Sequence, residues 1–165
     1  MKYPSADSLN SATDNSYNYD QIIKMEGNFL SVISWELLQY TVLDFLNLFL
    51  AQGCFFPTDR ILTKDSEQKV TADQAVNVRK YAEFFTDFCI QEREIITESA
   101  HLMTCAVLAF TRKHLNCEVI WPHELELLAF TQFSTFKSTY KILERKYAES
   151  FPEHATNQSL LVKNR

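Results

Sequence analysis

The chain has 165 residues, 46% of them apolar and 13% aromatic, enough for a sizeable core in one domain or in one domain plus part of another. Two glycines and four prolines are too few for the tight turns of an all-β fold. A net charge of −5 with no long basic run argues against nucleic acid as the main partner, and no apolar run is long enough to span a membrane.

Residues 1–19 are polar and turn-rich, with Ser5, Asp7, Ser8, Asn10, Ser11, Thr13, Asp14, Asn15 and Ser16, a composition typical of a disordered leader. They lack a signal peptide's apolar core. From Asp20 to Leu50 the pattern changes to two helices joined at an elbow. In the first, Ile22, Ile23, Met25, Phe29, Leu30, Val32 and Ile33 fall mostly at helical spacing, and Trp35, Leu37 and Leu38 carry the apolar surface into the elbow. Thr41 is positioned to cap the second helix, with Asp44 completing a partial capping box. Val42, Phe45, Leu46, Phe49 and Leu50 form its buried stripe, and Gly53 suits its C-terminal cap.

Residues 54–73 read as a loop, with Lys64 to Lys69 a solvated excursion. A helix is predicted from about Ala72 to Glu92, with Asp73 a possible cap and Val76, Tyr81, Phe84, Phe85 and Phe88 as its apolar stripe. Ile95 to His114 is apolar nearly all round, mixing small residues (Ser99, Ala100, Thr104, Cys105, Ala106, Ala109) with large ones. Such a helix belongs in the middle of a bundle, where small side chains let backbones approach to about 8 Å. Pro122 suits the first turn of a short helix ending near Phe130. The last helix, about Ser134 to Glu149, carries Phe136, Tyr140, Leu143 and Tyr147 on one face, with Lys137, Lys141, Arg145 and Lys146 mostly solvated. Residues 151–165 are expected to be poorly ordered.

The pattern of side chains offers little for catalysis. Cys54, Cys89, Cys105 and Cys117 are widely spaced, form no CxxC pair and read as reduced thiols. His114, Cys117 and His123 are the nearest approach to a metal set, but three ligands at this spacing match no structural zinc pattern. His101 and Cys105 stand one helical turn apart as a conceivable base and nucleophile, without a third orienting group or an oxyanion glycine, so core packing is the better reading. Glu94, Glu98, Glu124 and Glu126 sit near helix starts, where the dipole favours carboxylates. No Gly-rich phosphate loop is present. Arg60-x-Leu62 and Arg112-x-x-Leu115 have the minimal forms of a docking and a destruction motif, at chance level. The chain is therefore expected not to be an enzyme and to need no cofactor or metal.

Several of these stretches together resemble the cyclins, of the mitotic type. Met25-Glu26 inside an amphipathic helix, the aliphatic run ending at Trp35, then Leu38, Thr41 and Phe45-Leu46 are similar to the join between the two cyclin boxes. Tyr3-Pro4 and Thr13-Asp14-Asn15-Ser16-Tyr17 look like signatures near the end of the first box. Glu98-Ser99-Ala100, Ala106 to Ala109 and Trp121-Pro122 have counterparts in the second, and the likeness runs to about Tyr147. Tyr40 departs from it, since the family usually has Pro there.

The resemblance implies an all-α fold in which residues 1–38 are the end of a first cyclin box, 39–150 a complete five-helix second box and 151–165 a flexible tail. It places a short helix near Asp7 to Ser11, with Leu9 as a contact to the partner kinase. It implies a third box helix, Ile95 to His114, surrounded by the other four. Earlier first-box helices would lie upstream of Met1, with the Lys and Glu of the family's kinase contact, leaving the apolar face of Asp20 to Trp35 to a partner or a dimer. The function implied is that of a regulatory subunit that binds and activates a cyclin-dependent Ser/Thr kinase in cell-cycle control, nuclear and cytoplasmic, with no nucleic-acid or membrane partner. A non-kinase scaffold and a cyclin-fold transcription factor are the alternatives; the acidic balance disfavours the latter.

Overall fold

The computed structural model describes the backbone of residues 4–62, 67–69 and 72–153, and the side chains of all of these except 67–69 and 72–76. Its elements in chain order are α1 (Ala6–Ala12), α2 (Tyr19–Val32), α3 (Val42–Gln52), β1 (Arg60–Leu62), β2 (Glu67–Lys69), α4 (Ala72–Gln91), α5 (Ala100–His114), α6 (His123–Ala129) and α7 (Phe133–Ser150). The described residues are thus mostly helical, as expected of an all-α chain. They form two compact units, residues 1–39 and 40–165.

In the first unit, Ser5 caps α1 by accepting from the Ser8 amide, so this polar leader is a helix. A low apolar content does not prevent a capped turn from forming. Asp14 and Asn15 take left-handed backbone angles (φ 52° and 56°), a conformation that short polar side chains tolerate. Asn18 then opens α2 with a complete capping box to Gln21. The helix stops at Val32, before the expected Trp35. Ser34 and Trp35 both turn left-handed, and the Trp35 amide reaches back to the Leu30 carbonyl at 2.9 Å. No residue of α1 or α2 is buried.

The second unit is built around α5. Ten consecutive residues, Met103 to Arg112, are buried, and α5 packs on α3, α4 and α7. It begins at Ala100 because Ser99 caps it, accepting from the Leu102 amide. Residues 95–98 of the expected helix are turns instead, with Ile95 fully buried there.

Thr41 and Asp44 form the full capping box of α3, whose buried row is Val42, Leu46 and Phe49, with Phe45 and Leu50 half-buried beside it. Gly53 closes this helix at φ 91°, where a β-carbon would be strained. Phe136, Tyr140, Leu143 and Tyr147 of α7 are all buried, as their spacing predicts.

On α4 the apolar stripe holds at Phe85, with Phe88 partly buried beside it, and is otherwise shifted. The buried row is Val78, Ala82, Phe85 and Cys89, whereas Tyr81 and Phe84 remain about two-fifths exposed at its edge. Aromatic bulk drew attention to the rim; small residues occupy the line of closest approach to α5. The cap suggested at Asp73 is not at a helix end, since α4 already begins at Ala72, and the side chains of Asp73 and Val76 lie outside those described.

The segment after Gly53 is also more than a loop. β1 and β2 pair antiparallel, with Ile61 opposite Gln68, and Ile61 makes an isolated bridge to Cys117. Residues 63–66 of the expected excursion lie outside the described residues. Pro122 is the cap of α6 and not a residue of its first turn. Of the C-terminal stretch, Phe151 caps α7 and stacks 4.9 Å from Tyr147; residues 154–165 lie outside the description.

Candidate functional site

Among the described residues, His101, Cys105, His114 and Cys117 serve packing. His101 Nε2 lies 3.0 Å from the Ala129 carbonyl oxygen, so that nitrogen carries the proton it donates there. The same nitrogen is 3.9 Å from Cys105 Sγ, so it is not the free base a nucleophilic thiol requires. Burial pushes the Cys105 thiol up to about 12, further from the reactive thiolate. The His101 ring also meets Phe45 and Phe49 edge-on, at 5.3 and 6.1 Å between centroids.

His114, Cys117 and His123 stand in three different environments. The His114 ring packs within an aromatic cluster, 5.3 Å from Phe85 and 5.6 Å from Tyr147. Cys117 is buried at the bridge to Ile61. His123 is exposed, with Nδ1 3.5 Å from a Glu126 carboxylate oxygen. Among the described residues, no three His, Cys, Asp or Glu side chains are grouped so as to hold a metal.

One polar constellation escaped the sequence reading altogether. Arg112, in the last turn of α5, is 1% exposed and pairs with Asp59 through two hydrogen bonds, Nη1 to Oδ2 at 2.8 Å and Nη2 to Oδ1 at 2.5 Å. Its guanidinium also donates to the carbonyls of Cys54 (2.6 Å) and Val119 (2.9 Å), and Asp59 Oδ2 accepts from the Phe56 amide (2.8 Å). A planar five-donor fork suits this task better than an ammonium would. The knot ties the loops after α3 and after α5 to the central helix, a structural role. The signal in the sequence was an arginine near the end of an apolar helix, beside Lys113, which the Arg112-x-x-Leu115 motif obscured.

Two shallow grooves open on the second unit, the first of mixed polarity and the second mostly apolar. One, of about 500 Å³, is lined by Tyr81, Phe84, Phe85, Tyr147 and Phe151 among others. The other, of about 370 Å³, has Val42, Leu43, Ile90, Ile96 and Met103 in its walls.

Phe130 is 94% exposed although its backbone is left-handed (φ 49°), a corner held by Trp121 Nε1–H donating to the Thr131 carbonyl at 3.1 Å.

The first unit is more open still. Leu9, the predicted partner contact, is about half-exposed on α1. On α2, Met25, Phe29 and Val32 are 67%, 59% and 82% exposed, while Ile22, Leu30 and Ile33 are partly covered. Trp35, Leu37 and Leu38 continue the exposed apolar surface beyond the helix end.

No helix among the described residues is long and apolar enough to cross a membrane. No protein-family profile, curated protein or solved structure matches the chain.

Proposed function

We propose that this chain is a cyclin-like regulatory subunit that binds a cyclin-dependent Ser/Thr protein kinase and favours its active conformation, acting in cell-cycle control in nucleus and cytoplasm. The observation that carries this reading is the arrangement of the second unit. Five helices, α3 to α7, lie between Val42 and Ser150, and the third of them is the buried one. That is the order the resemblance implies for a second cyclin box, with α1 and α2 as the end of a first.

The chemistry is one of binding. A cyclin surface that fits the active kinase better than the inactive one shifts the population between them, and catalysis stays with the kinase. Leu9 supplies an apolar contact from α1. The test is direct binding of the purified chain to a panel of cyclin-dependent kinases, with peptide phosphorylation followed in parallel. Binding to one kinase that Leu9→Ala weakens severalfold supports the reading; no binding to any member of the panel ends it.

A further inference from the structure

The groove of about 500 Å³ on the second unit lies beside the end of α7. From α4 come Tyr81 and Phe84, whose rings stay partly exposed, and from the end of α7 come Tyr147 and Phe151. Asn77 and Lys80 add a polar rim. The size falls within the roughly 300–1,000 Å³ of pockets that hold a ligand. Phe84 and Phe88 both meet the Phe151 ring, at 6.0 and 6.2 Å between centroids. The groove is thus anchored at the residue from which the C-terminal stretch departs.

That stretch supplies an occupant of matching chemistry within reach. Residues 154–165 lie outside the described residues; in sequence they are polar apart from Ala155 and the adjacent Leu160, Leu161 and Val162. Leu160 follows Phe151 by nine positions, a tether that extends to about 30 Å at most and easily turns back. So short a tether holds the three aliphatic side chains near the groove at roughly millimolar effective concentration, which any separate peptide has to exceed. Charge favours the same occupant. The segment carries Lys163 and Arg165 and no acidic residue, so the overall −5 leaves −7 on residues 1–153. That body attracts its own basic tail and repels an acidic peptide.

We propose that Leu160, Leu161 and Val162 dock in the groove lined by Tyr81, Phe84 and Phe151 of their own chain. The contact is intramolecular, so it does not depend on protein concentration, and it weakens as salt screens the attraction. A protein that uses Tyr81 and Phe84 as its docking surface has first to displace this segment, which makes the contact autoinhibitory. The inference stands independently of any kinase.

Hydrogen–deuterium exchange on the full chain tests it, with a peptide of residues 154–165 as the reference. The amides of residues 160–163 are expected to exchange about tenfold or more slowly than in the peptide, equally over about a hundredfold range of protein concentration. Leu161→Asp and, separately, Phe84→Asp should remove the protection with far-UV circular dichroism unchanged. Ile96→Asp, in the wall of the other groove, should leave it. Should Phe84→Asp lose helix content, a nitroxide on Ser159→Cys gives a second readout, since the native thiols are buried. It should broaden the ring resonances of Tyr81 and Phe84 and spare those of Phe133, at the far end of the 18-residue α7. Exchange at the peptide's rate, protection that grows with protein concentration, protection lost in Ile96→Asp but kept in Phe84→Asp, or no broadening at Tyr81 and Phe84 would each overturn the proposal.

Discussion

The guanidinium of Arg112 and the carboxylate of Asp59 meet fork to fork, 53 positions apart in sequence and almost wholly out of water. Between them they also bind three backbone groups, the carbonyls of Cys54 and Val119 and the amide of Phe56. Every one of those groups belongs to a loop. Beside the apolar anchors of these loops, such as Cys54, Phe56 and Trp121, one buried cation collects their carbonyls.

Removing either partner leaves a buried charge uncompensated. Asp59→Ala or Arg112→Ala is expected to destabilise the second unit by about 3–5 kcal/mol. A double-mutant cycle with Asp59→Ala and Arg112→Met, followed by urea unfolding, should show strong coupling, the double variant losing less than the sum of the singles. Additive losses would mean the two side chains act separately.

The closest helix contacts depend on small side chains. Cys105, Ala106 and Ala109 of α5 are fully buried, as are Ala82 and Cys89 of α4. Ala106→Leu has no void to enter and should cost about 1–3 kcal/mol by overpacking. Leu108→Ala, at a large and equally buried position, should cost about 2–5 kcal/mol through the cavity it leaves. Thermal unfolding of both variants checks the pair; if Ala106→Leu were neutral or stabilising, α5 would not be the tightly surrounded helix described.

The start of α3 carries a pH-dependent contribution. The Thr41 hydroxyl and amide both donate to Asp44 Oδ2, at 2.7 and 2.8 Å, and hold its carboxyl below the usual range. A carboxyl depressed in the folded state contributes stability above its unfolded value of about 3.9, and that contribution disappears as pH falls through the folded value. The stability gap between wild type and Asp44→Asn at pH 7 should therefore close under acid. Thr41→Ala should cost about 1 kcal/mol. Urea midpoints at neutral and acid pH report both; a gap that persists or widens in acid would contradict the box.

All four thiols are shielded. Burial pushes Cys89 and Cys105 up to about 12, and Cys54 and Cys117 to about 11 despite the nearby Arg112. Native protein at pH 8 should react with a chromogenic disulfide reagent at least 100-fold more slowly than protein in urea, in which all four label at once. Fast labelling of any one thiol in the native state would identify a segment that opens locally.

The sequence alone determined where the helices are and, for most of them, which face turns inward. Thr41 and Gly53 act through hydrogen bonds and backbone angles spanning only a few residues, so the two ends of α3 were legible locally; the caps at Asn18 and Ser99 are as local but were not picked out, Ser99 being read as a residue inside the helix. The 3.6-residue period likewise made the buried rows of α3 and α7 readable, and the lack of a polar face marked α5 as central. Tertiary structure decided the rest. Whether Tyr81 or Ala82 faces α5 depends on how near two helices come, and that distance is set by both partners at once. The pairing of Arg112 with Asp59 joins residues whose separation no local pattern encodes, and a lone arginine on an apolar helix does not announce its counter-ion. The stripe of Met25, Phe29 and Val32 is the converse case: periodicity identified those side chains as apolar and aligned, and only the folded first unit showed that they stay exposed within it.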